Sequence, residues 1–319
     1  MSGETLVQAA RAALGEMMAE DSTVMVLGED VASGGPFGLT KDLFGTFESS
    51  RIRNTPISEG SFVGVGLGMA LGGARPFIDL MFNDFLTLAS DQLFNQAAKV
   101  HFMSGGRYSV PLTIWTVGGA GTRWGAQHSQ RLDGWISQIP GLKVLSPSSP
   151  RMMYHSMRAA LSDPDPVVLV VDRLILFSQN SLPGDDGSPW HSRVVQNGSK
   201  VTVVTTGRLV HLVIEVSKPF SGLVEIIDLQ RVSPVNVDLI CNSIQKTGKA
   251  ILVHDEVACG GLVSSLALAI YDHAYWSLDC PILHVTAPPT PVPASELLED
   301  SFMVSAQSIR DALEELIAK

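Results

Sequence analysis

The stretch NTPISEGSFVGVGLGMALGG, residues 54–73, places a single carboxylate, Glu59, before a run of small and apolar residues. Its glycines leave little side-chain bulk, so another backbone or a flat ligand can approach closely. An acid at a helix N-terminus is stabilised as the anion by the helix dipole and the free N–H groups. The stretch therefore predicts a buried helix at whose start Glu59 accepts a hydrogen bond from a heterocycle. The alternative is local, because Ser58 and Glu59 in a first turn are also ordinary capping residues.

The composition suggests a partner chain and argues against nucleic acid. The 319 residues are 45% apolar and only 17% charged, whereas soluble domains usually carry about 25% charged residues. The low charged fraction indicates that another chain covers much of the surface. The net charge of −10 opposes binding to a phosphate backbone, and the sequence has no basic cluster of the kind that nucleic-acid binders use.

The cysteines and the apolar runs predict a protein that is neither secreted nor inserted in a membrane. Cys241, Cys259 and Cys280 form no CxxC pair, which is typical of buried thiols in a reducing compartment. Residues 1–20 predict an amphipathic helix rather than a signal peptide. The longest weakly polar run, residues 60–80, is interrupted by charges and a glycine pair, so it does not predict a transmembrane helix.

Short β-branched runs alternate with helical patterns along the chain, which predicts an α/β fold with parallel sheets. The predicted strands of the first half are 23–27, 76–81, 110–117, 143–145 and 166–171, with a helix from about 84 to 103. A turn-rich stretch around Pro183–Gly187 interrupts the pattern. Strands restart at 200–206, 223–229, 250–254 and 281–285, before a final helix near 305–318. We predict a first domain over 1–185, a linker over 186–199 and a second domain over 200–319.

A glycine-rich loop with a histidine follows the strand predicted at 110–117. It reads GGAGTRWGAQHSQ, residues 118–130, and ligands of open parallel sheets bind beyond the carboxyl ends of the strands. His128 is therefore a candidate general acid or base near neutral pH. The alternative is a histidine that is simply hydrogen-bonded within the loop.

Two further segments have both a functional and a structural interpretation. Phe85 follows the strand predicted at 76–81, where an aromatic ring either stacks on a flat ligand or packs in the core. Residues 161–166, LSDPDP, predict a tight turn. Its carbonyl groups are candidate ligands of a monovalent cation, although turn chemistry alone explains the composition.

Several common sites are absent from the sequence. The GVGLG run at 64–68 lacks the preceding strand and the acidic residue of a dinucleotide fingerprint. The chain has no GxxxxGK[ST] phosphate loop and no GxSxG elbow, and its histidines show no metal-ligand spacing. A nicotinamide-dependent dehydrogenase, a serine hydrolase and a histidine metal site are therefore poor interpretations.

Taken together, these segments resemble the β subunit of the thiamine-diphosphate-dependent decarboxylase component of 2-oxo acid dehydrogenase complexes, of the pyruvate, branched-chain and acetoin types. The first half carries LGED (27–30), GGPF with TK (34–41), TPISE (55–59), NQAAK with MSGG (95–106), AQHSQ (126–130) and PGLKVLSPSSP (140–150). The second half carries VTVVTTGRLVH (201–211), IDLQRVSP (227–234), KTGKAILVHDE (246–256) and LLEDSFMVS (297–305). The resemblance implies a transketolase-like fold, with a pyrimidine-binding domain followed by a transketolase C-terminal domain.

The resemblance also implies roles for individual residues. Glu59 hydrogen-bonds the aminopyrimidine of thiamine diphosphate and promotes its amino–imino tautomerisation, Phe85 stacks on the pyrimidine, and Ile57 belongs to the same cofactor site. His128 lies near the substrate and helps to protonate intermediates or the incoming lipoyl group. Glu29 belongs to an acidic relay between paired active sites. The implied reaction decarboxylates a 2-oxo acid, with pyruvate as the expected substrate, and transfers the acyl group to lipoyl-lysine.

Metal ions and a second subunit follow from the same resemblance. Leu112, Ala160, Leu161, Asp163 and Asp165 match positions that bind a structural K⁺ in some relatives. Mg²⁺ and the diphosphate are usually held by a GDG…N segment, which this sequence lacks. An α subunit should therefore hold them, in an α2β2 heterotetramer that is active only when complete. The implied compartment is the cytoplasm for a bacterial protein and the mitochondrial matrix for a eukaryotic one.

Some segments depart from the pattern of the family. Arg123 and Trp124 stand where relatives often carry small or aliphatic residues, which indicates an unusual substrate shape. Residues 288–297 diverge near a surface that relatives use to dock the dihydrolipoyl acyltransferase. The alternative function is therefore an acetoin-cleaving or specialised-pathway carboligase subunit, and a third interpretation is a non-catalytic partner of an α subunit.

Overall fold

The computed structural model describes residues 3–47, 49–182 and 187–319 of the chain. The first two residues of the predicted N-terminal helix lie outside these ranges. Most of the predicted Pro183–Gly187 turn, and with it the predicted first-domain end at Asp185, also lies outside the described residues.

The described residues form twelve strands, and every predicted strand overlaps one of them. They are β1 Val24–Gly28, β2 Ile52–Asn54, β3 Arg75–Phe82, β4 Thr113–Gly118, β5 Lys143–Leu145, β6 Val167–Asp172, β7 Arg193–Gln196, β8 Val201–Thr205, β9 Val224–Asp228, β10 Arg231–Ser233, β11 Ala250–Val257 and β12 Leu283–Ala287. The sequence does not predict β2, β7 and β10, because such short runs carry too little periodicity.

Ten α-helices alternate with these strands in the described ranges: α1 Leu6–Glu20, α2 Glu59–Leu71, α3 Ala98–Met103, α4 Asp133–Ser137, α5 Pro150–Ser162, α6 Arg208–Ser217, α7 Val237–Thr247, α8 Leu262–Ala274, α9 Glu296–Phe302 and α10 Ala306–Ala318. The regular helix predicted from about 84 to 103 is wrong in detail. The chain forms a 3₁₀ turn at Asn83–Thr87, a π-helical segment at Asp91–Ala97 and then α3. None of the helices described is long and apolar enough to cross a membrane.

The strands assemble into two sheets that confirm the predicted α/β fold. The first sheet has the order β10-β5-β6-β4-β3-β1-β2 and is parallel except for β10. The second has the order β12-β11-β8-β9-β7 and is parallel except for β7. Both sheets are therefore mixed. The central strands β4 and β6 are buried along their whole length, as expected for strands with helices on both faces.

Helix α2 is only half buried, which corrects the prediction of a fully buried helix. Phe62, Val63 and Ala70 face the core, whereas Val65 is 54% exposed in the isolated chain. The close approach predicted from the glycines occurs at Gly66, where an added Cβ would lie 2.6 Å from the Ile78 side chain. The exposed side of α2 is consistent with the partner surface that the composition suggests.

The two halves of the chain share structure across the predicted linker. That segment, 186–199, contains β7, which is the antiparallel edge strand of the second sheet. Strand β10 lies in the second half of the sequence but pairs with β5 and completes the first sheet. The domain limits at 185 and 200 stay a prediction.

A buried ionic network joins the two halves. Arg131 donates two hydrogen bonds to the Asp133 carboxylate, at 2.9 and 2.7 Å, and one of 3.3 Å to Asp172. Arg208, on α6, donates a hydrogen bond of 2.6 Å to Asp255 at the end of β11. Each buried charge has an opposite partner, so removing one member would leave another uncompensated. The network fixes the second half against the carboxyl edge of the first sheet.

Candidate active site

The carboxyl ends of four neighbouring parallel strands converge at one edge of the first sheet. Strands β6, β4, β3 and β1 lie side by side in that order. They lead respectively into Arg173, the loop 119–130, the turn Asn83–Thr87 and Glu29. Ligands of open parallel sheets bind at this edge. The topology thus brings together segments that are up to about 140 residues apart in sequence.

Glu59 is the first residue of α2, as predicted, and its side chain is 7% exposed. Ser58 precedes it but makes no capping hydrogen bond to the helix, and its hydroxyl instead donates to Ser61 Oγ at 2.7 Å. The local alternative of a serine cap is therefore not what the chain forms. The Glu59 carboxylate lies beside free N–H groups at the positive end of the helix, where it is available to a ligand.

A second and a third acid lie behind Glu59. Burial, reinforced by the nearby carboxylates of Glu59 and Asp30, raises the pKa of Glu29. Asp79, on β3, is fully buried, and burial with the Glu29 charge nearby raises its pKa to about 7. One Asp79 oxygen accepts a hydrogen bond of 3.1 Å from Met81 N, while its other oxygen and Glu29 Oε1 have no hydrogen-bond partner among the described residues. The arrangement is a short series of acids, Glu59, Glu29 and Asp79, whose charges interact.

An aromatic cluster surrounds His128. The His128 ring centroid lies 5.0 Å from that of Phe82 and 5.7 Å from that of Phe85, in edge-to-face arrangements. Phe82 also contacts Phe85 and Trp124, with centroid distances of 5.4 and 5.1 Å. The structure therefore brings the predicted residues Phe85 and His128 together. Phe85 packs against the core, which confirms the packing interpretation, and it is also partly exposed, so its stacking on a flat ligand stays a prediction.

The loop that carries His128 is tied to the turn after β3 by a polar contact. Gln130 Nε2 donates a hydrogen bond of 2.7 Å to Asp84 Oδ1. The second Asp84 oxygen, both polar atoms of the Asn83 amide and the Thr55 hydroxyl are buried without a hydrogen-bond partner in the described residues. Buried polar atoms of this kind are rare unless a water or a ligand satisfies them. An acid, aromatic rings and unsatisfied donors and acceptors at one edge fit a planar heterocycle.

Ile57 differs from the other predicted site residues because it is 82% exposed. It lies just before α2, outside the packed part of the site. In this chain alone its side chain is open to a ligand or a partner, and its predicted contact with a cofactor stays a prediction.

Sequence reasoning missed two residues of this site, Phe82 and Arg173. Phe82 is the last residue of β3 and contacts four other aromatic rings, including that of Phe37. The Arg173 guanidinium lies 5.2 Å from the Phe82 ring centroid and 5.0 Å from that of Trp124, and burial lowers the pKa of Arg173. Both residues lie at a strand's carboxyl end, so the rule that identified His128 could have found them.

The residues assigned to K⁺ meet at the opposite, amino edge of the sheet, where their oxygens already have partners. The carbonyl oxygens of Leu112 and Ala160 accept backbone hydrogen bonds of 2.9 and 3.2 Å. The carbonyl oxygens of Leu161 and Asp163 accept hydrogen bonds of 2.9 and 3.2 Å from Arg75 Nη1.

A lysine holds the two carboxylates of the same set. Lys143 Nζ lies 2.8 Å from Asp163 Oδ1 and 3.0 Å from Asp165 Oδ2. Burial alone would lower the pKa of Lys143, but these two carboxylates raise it above its ordinary value. Lys143 and Arg75 thus already place positive charge at this cluster, and K⁺ binding there stays a prediction.

Comparisons with known proteins agree with this architecture. Two family models match the chain: the transketolase pyrimidine-binding domain over residues 4–178 and the transketolase C-terminal domain over residues 191–309. A solved split-gene transketolase, an inactive β4 tetramer, superposes with a TM-score of 0.81 at 20% identity and covers 99% of both chains. A transketolase from Leishmania mexicana gives 0.76 at 18% identity, over 98% of this chain and 45% of its own. The fold and the site thus define a transketolase-like pair of domains.

Relatives with similar sequences identify the family within this class of folds. The pyruvate dehydrogenase E1 component subunit β-3 of rice chloroplasts is 36% identical over 317 residues, which cover 98% of this chain and 81% of the relative. The acetoin:2,6-dichlorophenolindophenol oxidoreductase β subunit of Bacillus subtilis is 35% identical and covers 95% and 94%. The pyruvate dehydrogenase E1 β subunit of Porphyra purpurea is 34% identical and covers 99% and 98%. The chain belongs to this family of β subunits, which confirms the predicted resemblance.

Proposed function

We propose that this chain is the β subunit of a thiamine-diphosphate-dependent enzyme that decarboxylates a 2-oxo acid, with pyruvate as the expected substrate. The observation that carries the proposal is Glu59, a buried carboxylate at the first residue of a helix, next to a second acid. The oxidoreductase names of the relatives support the class of reaction. The acyl group is passed on to the lipoyl-lysine of a dihydrolipoyl acyltransferase.

The role of Glu59 is to hold a proton at a ring nitrogen of the cofactor. Its carboxylate, at the first residue of α2, would accept a hydrogen bond from that position of the bound cofactor. Glu29 and Asp79 lie behind it, so a proton that reaches Glu59 has further acceptors within the chain. The acids therefore form the part of a proton path that this subunit supplies.

The aromatic residues and His128 bind and orient the cofactor and the substrate. Phe85 would stack on the planar part of the cofactor, and the exposed side chain of Ile57 would belong to the same site. His128 lies within the aromatic cluster and holds or donates a proton near the substrate carbonyl. When bound, thiamine diphosphate supplies the nucleophilic carbon and the electron sink for decarboxylation.

A complete site requires an α subunit. In the described ranges, no group of three or more His, Cys, Asp or Glu residues is arranged to hold a metal ion. The sequence also lacks the GDG…N segment that usually holds Mg²⁺ and the diphosphate in this class of enzyme, so we assign both to an α subunit within an α2β2 assembly. The exposed apolar side chains of Ile57, Val65, Leu71 and Leu88, at and near α2, support such an interface. The compartment follows from the host: the cytoplasm of a bacterium or the mitochondrial matrix of a eukaryote.

Acetoin cleavage is the second candidate function. It is favoured by the Bacillus subtilis relative, whose match covers nearly the whole of both chains, and by Trp124. The indole ring of Trp124 lies 6.4 Å from the His128 ring centroid and restricts the space beside it. A bulky ring at this position changes the shape of the space that is open to a substrate.

The test is a titration of thiamine diphosphate and Mg²⁺ by calorimetry, on this chain alone and on its complex with the α subunit. We expect binding by the complex at each αβ pair and none by the isolated chain. Binding that is equally tight in the isolated chain would contradict the shared site. The loaded complex is then supplied with 2-oxo acids and with acetoin, with and without a lipoyl domain. Acyl transfer to the lipoyl domain from a 2-oxo acid supports the first function, and turnover of acetoin alone supports the second.

A further inference from the structure

The loop that carries His128 is held by a carboxylate from the second half of the chain. Glu299, on α9, is fully buried. It accepts hydrogen bonds of 2.8 Å from the backbone N–H of Gly121 and of 2.9 Å from that of Arg123. These hydrogen bonds join residues nearly 180 positions apart in the sequence, and no local sequence pattern predicts them.

The same loop is held in place by further contacts on both sides. The Arg123 side chain forms an ion pair of 2.7 Å with Glu296, on the same helix as Glu299. On the opposite side, Arg173 donates a hydrogen bond of 2.7 Å to the Thr122 hydroxyl and another to the backbone carbonyl of His128. The loop is thus clamped between α9 and the carboxyl end of β6.

The Glu299 contacts also stabilise an unfavourable backbone. Arg123 has a φ of 62°, in the left-handed region that disfavours residues with a Cβ. A buried carboxylate is costly unless it is hydrogen-bonded. If the loop moved away, Glu299 would lose both of its backbone donors. The carboxylate and the loop conformation therefore stabilise each other.

We propose that Glu299 is a positioning residue of the active site, which holds the 119–130 loop in the one conformation that places His128 within the aromatic cluster. Glu299 touches neither substrate nor cofactor and acts through the loop. This role extends the proposed function, since it makes the placement of a residue of the first half depend on a helix of the second.

The first test is independent of activity. The full chain, in complex with its α subunit, is treated briefly with trypsin under native conditions, and mass spectrometry follows cleavage after Arg123. We expect Glu299→Ala to accelerate this cleavage about tenfold or more relative to cleavage after Arg107, because the bond loses its backbone clamp. Asp300→Asn is the matched control, since Asp300 is exposed on the same helix. If Glu299→Ala cleaves after Arg123 at the wild-type rate, the clamp does not exist.

The second test connects the clamp to His128. We expect Glu299→Ala to lower kcat about 10- to 100-fold, as small misplacements of a reacting group do, and to change KM less. In a His128→Ala background the same substitution should lower kcat no further, because the two residues act as one unit. Full additivity of the two losses would overturn the positioning role, even if trypsin cleavage is accelerated.

A conservative variant keeps the test valid if the alanine variant does not fold. Glu299→Gln retains one acceptor oxygen, so we expect cleavage and kcat between those of wild type and alanine, with thermal unfolding close to wild type. A glutamine variant that folds and matches wild type in both measurements would overturn the proposal. If wild type has no activity on any substrate, the proposed function fails, and the cleavage rates alone then decide whether the clamp exists.

Discussion

The two edges of the first sheet carry acidic clusters that differ in how their charges are balanced. At the amino edge, Asp163 and Asp165 share the Lys143 ammonium, and Arg75 satisfies the nearby carbonyl groups. At the carboxyl edge, Glu29 and Asp79 each have a buried oxygen without a hydrogen-bond partner among the described residues, and burial and nearby carboxylates raise the pKa of both. The first cluster is complete within the chain and is structural. The second is incomplete, and it is the cluster that the proposed function uses.

The largest effect is expected at the carboxyl edge, from Glu59→Gln. This change keeps the shape of the side chain but removes the anion that accepts the cofactor proton. We expect decarboxylation by the αβ complex to fall about 100-fold or more at saturating cofactor, in line with general acid–base contributions. Glu314→Gln, on the exposed face of α10, is the control. A Glu59→Gln complex with near wild-type turnover would contradict the catalytic role of Glu59.

A smaller effect is expected at the amino edge, from Lys143→Met. The variant keeps the aliphatic stem but leaves Asp163 and Asp165 without their cation. Since Lys143 is partly exposed, with 30% of its side chain accessible, we expect the free energy of unfolding to fall by roughly 1–2 kcal/mol. Urea unfolding measures the free energy of unfolding of the variant. Lys200→Met, at an exposed position just after the predicted linker, is the control substitution. Loss of activity without loss of stability would contradict a structural role.

The acids of the carboxyl edge should also lower stability in a pH-dependent way. The pKa of Asp79 is raised from 3.8 to about 7, so between these values the folded state binds more protons than the unfolded state. Asp79 therefore destabilises the fold progressively as pH rises through this window. In the Asp79→Asn variant, we expect the free energy of unfolding to decrease less between about pH 4 and 7 than in wild type. At about pH 8 the variant should be more stable than wild type by on the order of 1 kcal/mol. Urea unfolding of both forms across this pH range measures the difference, and parallel profiles would show that Asp79 ionises normally.

The smallest effect is expected from the buffer cation. Because Lys143 and Arg75 already serve the amino edge, replacing K⁺ by tetramethylammonium at constant ionic strength should leave the Tm unchanged within about 1 °C. Differential scanning calorimetry checks this. A saturable stabilisation by K⁺ that Na⁺ does not reproduce would confirm the potassium site that the sequence predicts.

Long, periodic features could be predicted from the sequence, and contacts between distant segments could not. The buried runs at 110–117 and 166–171 became β4 and β6 because apolar residues of that length fit only a covered strand. Glu59 was placed at the start of its helix because small residues follow it directly. His128 was found by its position after a strand, and the same rule could have found Phe82, which directly follows the strand predicted at 76–81 and is the last residue of β3.

The errors have physical reasons of their own. At the turn 161–166 the sequence predicts a K⁺ site, which stays a prediction, but it does not show that the fold brings Lys143 and Arg75 there from other strands. Helix α2 was predicted to be buried because its residues are apolar, yet apolar residues also cover surfaces that await another chain. The Glu299 contacts with the loop depend on tertiary packing that no local pattern contains.

The pairing of β10 with β5 has a consequence for dividing this protein. Although β10 follows the connector in sequence, it is the outermost strand of the first sheet. A fragment ending in the connector would expose the edge of β5, and unprotected strand edges recruit other strands. The two halves match separate sequence families, but they do not form separate folded units. If the gene were split at the predicted linker, the two products would have to assemble before the edge of β5 was protected from aggregation.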